Sequence, residues 1–132
     1  MSQSVSRTLS SYSLVALGAM LGGVLRFTLS DVLLGGTGLP WGTLLVNIAG
    51  SLLIGFYATL PTGTIWTSGG ARLFITAGFC GGFTTFSIFS LEVLGMLERG
   101  ELLLAPAWML LSLTLWLAAV AAGYALARMV AE

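Results

Sequence analysis

The sequence predicts an all-α integral membrane protein of four transmembrane helices, the third of them broken mid-membrane. Three observations carry that expectation. Of the 132 residues, 57% are hydrophobic and only 8% are charged, against roughly 25% charged in soluble domains. The apolar residues fall into four runs separated by short polar or Gly/Pro-rich connections. Within the third run, Gly78-Phe-Cys-Gly-Gly-Phe-Thr-Thr-Phe-Ser-Ile-Phe89 puts glycines and hydroxyls where one more greasy helical turn belongs. Glycine is a poor helix former, and a backbone group that leaves the helical ladder at membrane depth must find a partner in protein, ion or trapped water.

Met1 to Ser11 is polar and reads as a loose tail. Tyr12 to about Leu34 forms the first span, long enough for a hydrocarbon core of about 30 Å, which takes roughly 20 helical residues. A cleavable signal peptide is the rival reading, because Arg7 precedes an apolar run and Ala16-Leu-Gly18-Ala19 offers small residues. The run continues past them, and Arg26 is a strange neighbour for a cleavage site. Gly35 to Pro40 is a turn cluster, and Pro40 suits the start of the next helix. The second span, about 41–60, carries Thr43, Asn47 and Ser51 at i, i+4 and i+8, a polar stripe on one face. Pro61 to Gly70 is a loop, and the third span runs from about Arg72 to Leu97. Glu98-Arg-Gly-Glu101 leads into a fourth span over about 104–128, with Pro106 near its start. The expectation is one four-helix domain over residues 1–132, with no soluble part to carry chemistry and hence no enzyme.

Five arginines and five acids cancel, and lysine and histidine are absent. Nothing here makes a basic face for nucleic acid, and histidine-based metal sites are excluded. Cys80 is the only cysteine, so no disulfide closes within the chain, and the residue reads as a small buried hydrophobe. Arg7, Arg72 and Arg128 fall on one side of the four spans, Arg26 and Arg99 on the other. Basic residues in short flanks set orientation; a chain this balanced is able to insert both ways, which makes an antiparallel, dual-topology homodimer available. Small residues four apart allow close helix approach, and they occur as Gly18/Gly22, Ala19/Gly23, Ser51/Gly55, Gly78/Gly82 and Ala119/Gly123. They offer packing faces and a reason to dimerise.

Several residues at membrane depth are candidates for function. A discontinuous helix there holds ions, its freed N–H groups facing anions and its freed carbonyls facing cations. Asn47 needs its amide satisfied, either by an interhelical hydrogen bond or by donating to a dehydrated anion. Glu92 lies near the far end of the third span, where it either snorkels or pairs in a vestibule or serves as a proton-coupled substrate site. Arg26, with Asp31 five residues on, is a helix-end anchor or an electropositive vestibule residue. Phe86 and Phe89 share a helix face. They pack a core or, in the company of Thr84, Thr85 and Ser87, line a path in which positive ring edges meet a small anion without a fixed countercharge.

Taken together, Gly22-Gly-Val-Leu-Arg26, Gly42-Thr-Leu-Leu-Val-Asn47-Ile-Ala-Gly-Ser51 and Gly78 to Ser90 resemble the signature stretches of the small bacterial fluoride channels, the Fluc family. The resemblance covers all four spans in order. It implies an antiparallel homodimer with two parallel pores, a structural sodium ion (Na+) at the central interface, and passive fluoride export across the cytoplasmic (inner) membrane. Position by position it implies that Asn47 is the pore amide and that Phe86 and Phe89 are the pore phenylalanines. Backbone carbonyls of Gly81 and Thr84 would hold sodium, and Arg26 would stand near the vestibule. Ser87, Thr43 and Ser112 would supply hydroxyls. Two positions depart from the family: Ile88 stands where threonine is usual, and Trp116 where a second serine is often found, one turn after Ser112. Fewer donors at one end of the pore imply a reduced flux.

A small dual-topology, proton-coupled multidrug exporter is the alternative of similar size. It requires a membrane-embedded carboxylate in the first span, and Tyr12 to Ser30 contains none. A purely structural subunit would explain the small-residue packing but not the polar break.

Overall fold

Two pairs of parallel helices, each pair joined through glycine-lined faces, make up the chain. The computed structural model describes residues 2–34, 36 and 38–131. Four helical stretches are long and apolar enough to cross a membrane: Thr8–Val32, Trp41–Thr59, Gly69–Glu98 and Leu104–Ala131. The protein is therefore a multi-pass membrane protein, its spans built from helices.

The first span is α-helical over Ser2–Phe27 and opens into wider π-type turns over Thr28–Leu33. The polar residues 2–11, expected to be loose, are helical instead. Once a helix is nucleated, each added residue gains a hydrogen bond for the dihedrals it fixes, so a polar N-terminal flank simply prolongs the apolar helix behind it. In the turn that follows, Gly36 and Gly38 take φ of 85° and 84°, a region in which other residues are strained; Gly35 and Thr37 lie outside the described residues.

The second span, Trp41–Thr59, ends at Leu60, whose ψ of 140° is the extended conformation imposed by the following Pro61. Its last carbonyls are not left bare. The Arg72 guanidinium donates to the carbonyls of Ala58 and Leu60 and to that of Thr67, a cation placed at the negative end of a helix dipole. The loop between is a single 3₁₀ turn, Ile65–Thr67, closed by reciprocal Thr64 and Thr67 hydrogen bonds and by the Tyr57 hydroxyl, which donates to the Trp66 carbonyl.

The third span starts as an α-turn at Gly69–Arg72, widens to π geometry over Leu73–Cys80 and tightens again at Gly81–Phe83. Thr84 is extended, with φ −90° and ψ 158°, and the helix resumes at Ser87–Glu98. The interruption is thus real but lies after the glycines rather than within them. The glycines remain helical because they serve close packing. A methyl group built on Gly22 would collide with the Phe79 carbonyl oxygen, one on Gly82 with that of Ala19, and one on Gly78 would lie 2.8 Å from that of Val15. The fourth span, Leu104–Ala131, carries Pro106 in its first turn, where a missing N–H is of no consequence.

The same logic joins the second and fourth spans, where a methyl on Gly55 or Gly123 would strike the carbonyls of Val120 or Leu52. The small-residue pairs that offered a reason to dimerise are therefore largely used within the chain itself. A hydrophobic cluster of Leu44, Phe89, Val93, Met96, Ala105 and Trp108 fills the space between the second, third and fourth spans. Arg99 follows the end of the third span and Arg26 lies within the first, toward the same end, while Arg72 and Arg128 sit at the opposite end of the bundle. Arg99 pairs with the Glu101 carboxylate at 2.8 Å, which holds that carboxyl below its ordinary value; so exposed a pair adds little stability.

Replacing Gly22 with valine should destabilise the protein by about 1–3 kcal/mol, the range for overpacking a tight contact. At Gly23, where a methyl would meet its nearest neighbour only at 4.0 Å, alanine should leave thermal unfolding in detergent unchanged. Equal effects at the two positions would refute the packing assignment.

Candidate functional site

The break in the third span is held open by one side chain from the second. Asn47, 4% exposed, donates from Nδ2 to the Thr85 carbonyl at 2.9 Å. Its Oδ1 accepts the Thr85 N–H at 2.8 Å. The carboxamide thus satisfies both backbone groups of a residue that has left the ladder, as membrane burial demands. Of the two sequence readings of Asn47, the structure shows the interhelical hydrogen bond. A regular helix would have returned the Thr85 N–H to the Gly81 carbonyl; with that donor given to Asn47, the Gly81 carbonyl is released. The neighbouring Gly82 carbonyl accepts Arg26 Nε at 3.2 Å, so Arg26 serves as an anchor for the C-terminal end of this half-helix.

Hydroxyls complete the break. Thr84 Oγ1 donates to the Cys80 carbonyl at 2.9 Å, the same carbonyl that the Thr84 N–H reaches at 3.0 Å, so the half-helix closes at Thr84 before the chain turns out of it. Thr85 Oγ1 accepts the Ile88 N–H at 3.2 Å and lies 3.3 Å from Ser87 Oγ, which caps the resumed helix.

Beside the break lies a recess of about 440 Å³ whose wall includes Asn47, Ser51, Gly81, Thr84, Phe86 and Trp116. Gly81, Thr84, Asn47 and Phe86, singled out separately in the sequence, thus face one space. Cys80 is buried, as expected, at the edge of the same recess. The two phenylalanines are unequal. Phe86 is 67% exposed, whereas Phe89 is 2% exposed and belongs to the hydrophobic core. Their rings stand 5.7 Å apart at 52°, and Phe89 also meets Trp116 edge-on at 4.9 Å.

A second recess of about 320 Å³ is lined by Ser30, Asp31, Thr43, Glu92, Met96 and Arg99 among others. Thr43 Oγ1 donates to Glu92 Oε1 at 2.6 Å, while Glu92 Oε2 is buried without a partner among the described residues. Glu92 therefore both pairs and faces a vestibule. Thr43 and Asn47, one turn apart on the same helix face, each line one of the two recesses. Ser112, in the fourth span, is fully buried, and its Oγ likewise has no partner among the described residues.

Sequence reasoning missed the Thr43–Glu92 pair and the packing of Trp116. The first was within reach: Phe89 and Glu92 are spaced three apart on the resumed helix, so they lie on neighbouring positions of one face, and Thr43 lies on the polar stripe of the second span. The second was not, because it depends on how the fourth span is rotated.

Residues 13–124 match the family described as CrcB-like protein, Camphor Resistance (CrcB). The chain belongs to the CrcB family. This CrcB chain is 43% identical over 125 residues to a Rhodospirillum rubrum protein named fluoride-specific ion channel FluC, a match that covers 92% of this chain and 97% of the relative. An Agrobacterium fabrum protein of the same name is 46% identical over 118 residues, covering 88% and 94% of the two chains. One from Paramagnetospirillum magneticum, also so named, is 44% identical over 124 residues, covering 90% and 96%. The family resemblance read in the three motifs thus extends across nearly the full length of these CrcB relatives.

Changing Asn47 to leucine should remove both bonds to Thr85 and destabilise the fold by about 1–3 kcal/mol, the cost of leaving buried polar groups unpaired. Amide exchange at Thr85, followed by mass spectrometry, should rise with it. An unchanged exchange rate would show that the break does not depend on the clasp.

Proposed function

We propose that the protein is a fluoride-selective ion channel that gives passive, potential-driven fluoride export and so protects the cell from fluoride toxicity. The observation that carries this reading is identity above 40% along nearly the whole chain to relatives named fluoride-specific ion channels. It is a channel, not an enzyme. The proton-coupled exporter falls away with the family assignment and with the lack of a carboxylate between Tyr12 and Ser30.

The geometry agrees with the chemistry such a channel needs. Fluoride is small and strongly hydrated, so a pore must replace water with neutral donors and still let go. Thr43, Ser87 and Ser112 offer hydroxyls, Asn47 an amide, and Phe86 and Phe89 positive ring edges. Arg26 adds positive charge on the same side as the vestibule, its guanidinium tied to a carbonyl rather than to a carboxylate. A potential negative inside favours anion exit by about 2.3 kcal/mol per 100 mV, so no coupled ion is required.

In our reading the channel works as an inverted homodimer in the bacterial inner membrane. Two observations support this. The recess beside the break, with the Gly81 carbonyl in its wall, and the exposed Phe86 lie open on the surface of a chain that spans the membrane, where lipid supplies no hydrogen-bond partner and a second copy would. The arginines, three against two, impose almost no orientation. A structural sodium ion between the copies fits the donors at the break. The Gly81 carbonyl lacks its helical N–H, and no side chain at that residue blocks approach; the Thr84 backbone is extended beside it. Bound there, sodium would neutralise carbonyl ends brought together at the interface.

Purified protein in liposomes should release fluoride, and not chloride, under an imposed potential; proton-coupled efflux of a lipophilic cation, or no fluoride release, refutes the channel. Changing Phe86 to isoleucine should lower the rate about tenfold, the equivalent of losing one aromatic contact of about 1.4 kcal/mol. For the dimer, reporters fused to the C-terminus should give signal on both sides of the membrane, and signal on one side only would rule out dual topology.

A further inference from the structure

Nothing in the proposed function accounts for the indole at position 116. The family pattern leads to a hydroxyl there; the chain has a tryptophan, and the structure gives it two specific contacts. Trp116 Nε1 donates to the Leu44 carbonyl of the second span at 3.2 Å. That bond fixes the ring's rotation, and with it the edge that meets Phe89 at 4.9 Å and 73°, a favourable aromatic geometry. The ring is also part of the wall of the mid-membrane recess. One side chain therefore bounds the recess on one side and backs Phe89 on the other.

The two phenylalanines meet this arrangement unequally. Phe86 touches the recess and stays largely exposed, whereas Phe89, held by the indole, is sealed in the core with Leu44, Val93 and Met96. Ser112 and Trp116 lie four residues apart, on one face of the fourth span. The Ser112 hydroxyl is fully buried and reaches no acceptor among the described residues, and it does not line the recess that Trp116 bounds.

We propose that Trp116 is a positioning residue that clamps Phe89 into the core and thereby limits passage between the mid-membrane recess and Ser112. The inference rests on the channel reading, and it differs from the simpler account in which Trp116 matters only because a hydroxyl is missing. What slows the ion is the ring that is present.

Three substitutions separate the accounts. If the missing donor is decisive, Trp116→Ser raises fluoride flux in liposomes and Trp116→Ala does not. If the clamp is decisive, both raise it by about fivefold, the factor expected for one lost edge-to-face contact, and Trp116→Phe, which keeps a ring but loses the Nε1 bond that fixes it, raises it less than either. Should Trp116→Ala fail to fold, Trp116→Met takes its place, since it fills much of the volume without an aromatic edge. A second readout is independent of flux: ¹⁹F resonances of protein labelled with fluorophenylalanine, the Phe89 signal being assigned by Phe89→Leu. The Phe89 signal should shift and sharpen in the alanine or methionine variant and move less in the phenylalanine variant. A Phe89 signal that does not move overturns the clamp, whatever the flux. So does a flux raised by serine alone or by none of the variants while the parent conducts. If neither parent nor variants pass fluoride above empty vesicles, the channel reading fails, and the flux-limiting role of Trp116 fails with it.

Discussion

The two hydrogen bonds between the Asn47 carboxamide and the Thr85 backbone are the constraint on which the rest of the structure depends. A helix that stops at mid-membrane leaves N–H and carbonyl groups where lipid cannot satisfy them. Asn47 has a donor and an acceptor at the spacing of a peptide unit, so one residue meets both needs of Thr85. Because the Thr85 N–H is taken, the Gly81 carbonyl is freed. Because Thr84 can then be extended, Phe86 swings out to the recess while the resumed helix carries Phe89 inward. The features that make the region suited to ions are consequences of one side chain satisfying one backbone unit.

Around that point the protein uses neutral polar groups. Hydroxyls of Thr84 and Thr85 bond to the two half-helices at the break. The positive group bound directly to the break is Arg26, and it is tied to the Gly82 carbonyl, where it offsets the negative end of the half-helix. A mobile anion near this region meets dipoles rather than a free countercharge. That is the condition for binding strong enough to replace water and weak enough to release the ion.

The spans and the presence of a break were legible in the sequence, because both rest on local chemistry. Trp41–Thr59 lies within one residue of the expected 41–60, and the fourth span was found where hydropathy put it. The location of the break was less legible. Glycine's low helix propensity pointed to residues 78–82, yet packing against Gly18 and Gly22 keeps those residues helical, and the chain departs only at Thr84. Polar residues 2–11 looked unstructured because polarity was read as disorder, whereas they simply prolong a helix already nucleated. The inequality of Phe86 and Phe89 was out of reach. It depends on where the chain leaves the helix at Thr84 and on the register of the fourth span, whose Trp116 meets Phe89.

The parallel pairing of the spans bears on how the molecule comes to exist. The tightest glycine contacts skip one span in the chain: the first span's glycine face is matched by residues 74–83, and that of the second by residues near Val120 and Gly123. During synthesis each early helix must wait in the bilayer, its bare backbone groove unfilled, until the segment two places later has emerged from the ribosome. The last pair can form only when nearly every residue has been translated, so a nascent chain cut short before Gly123 leaves the second span without its mate.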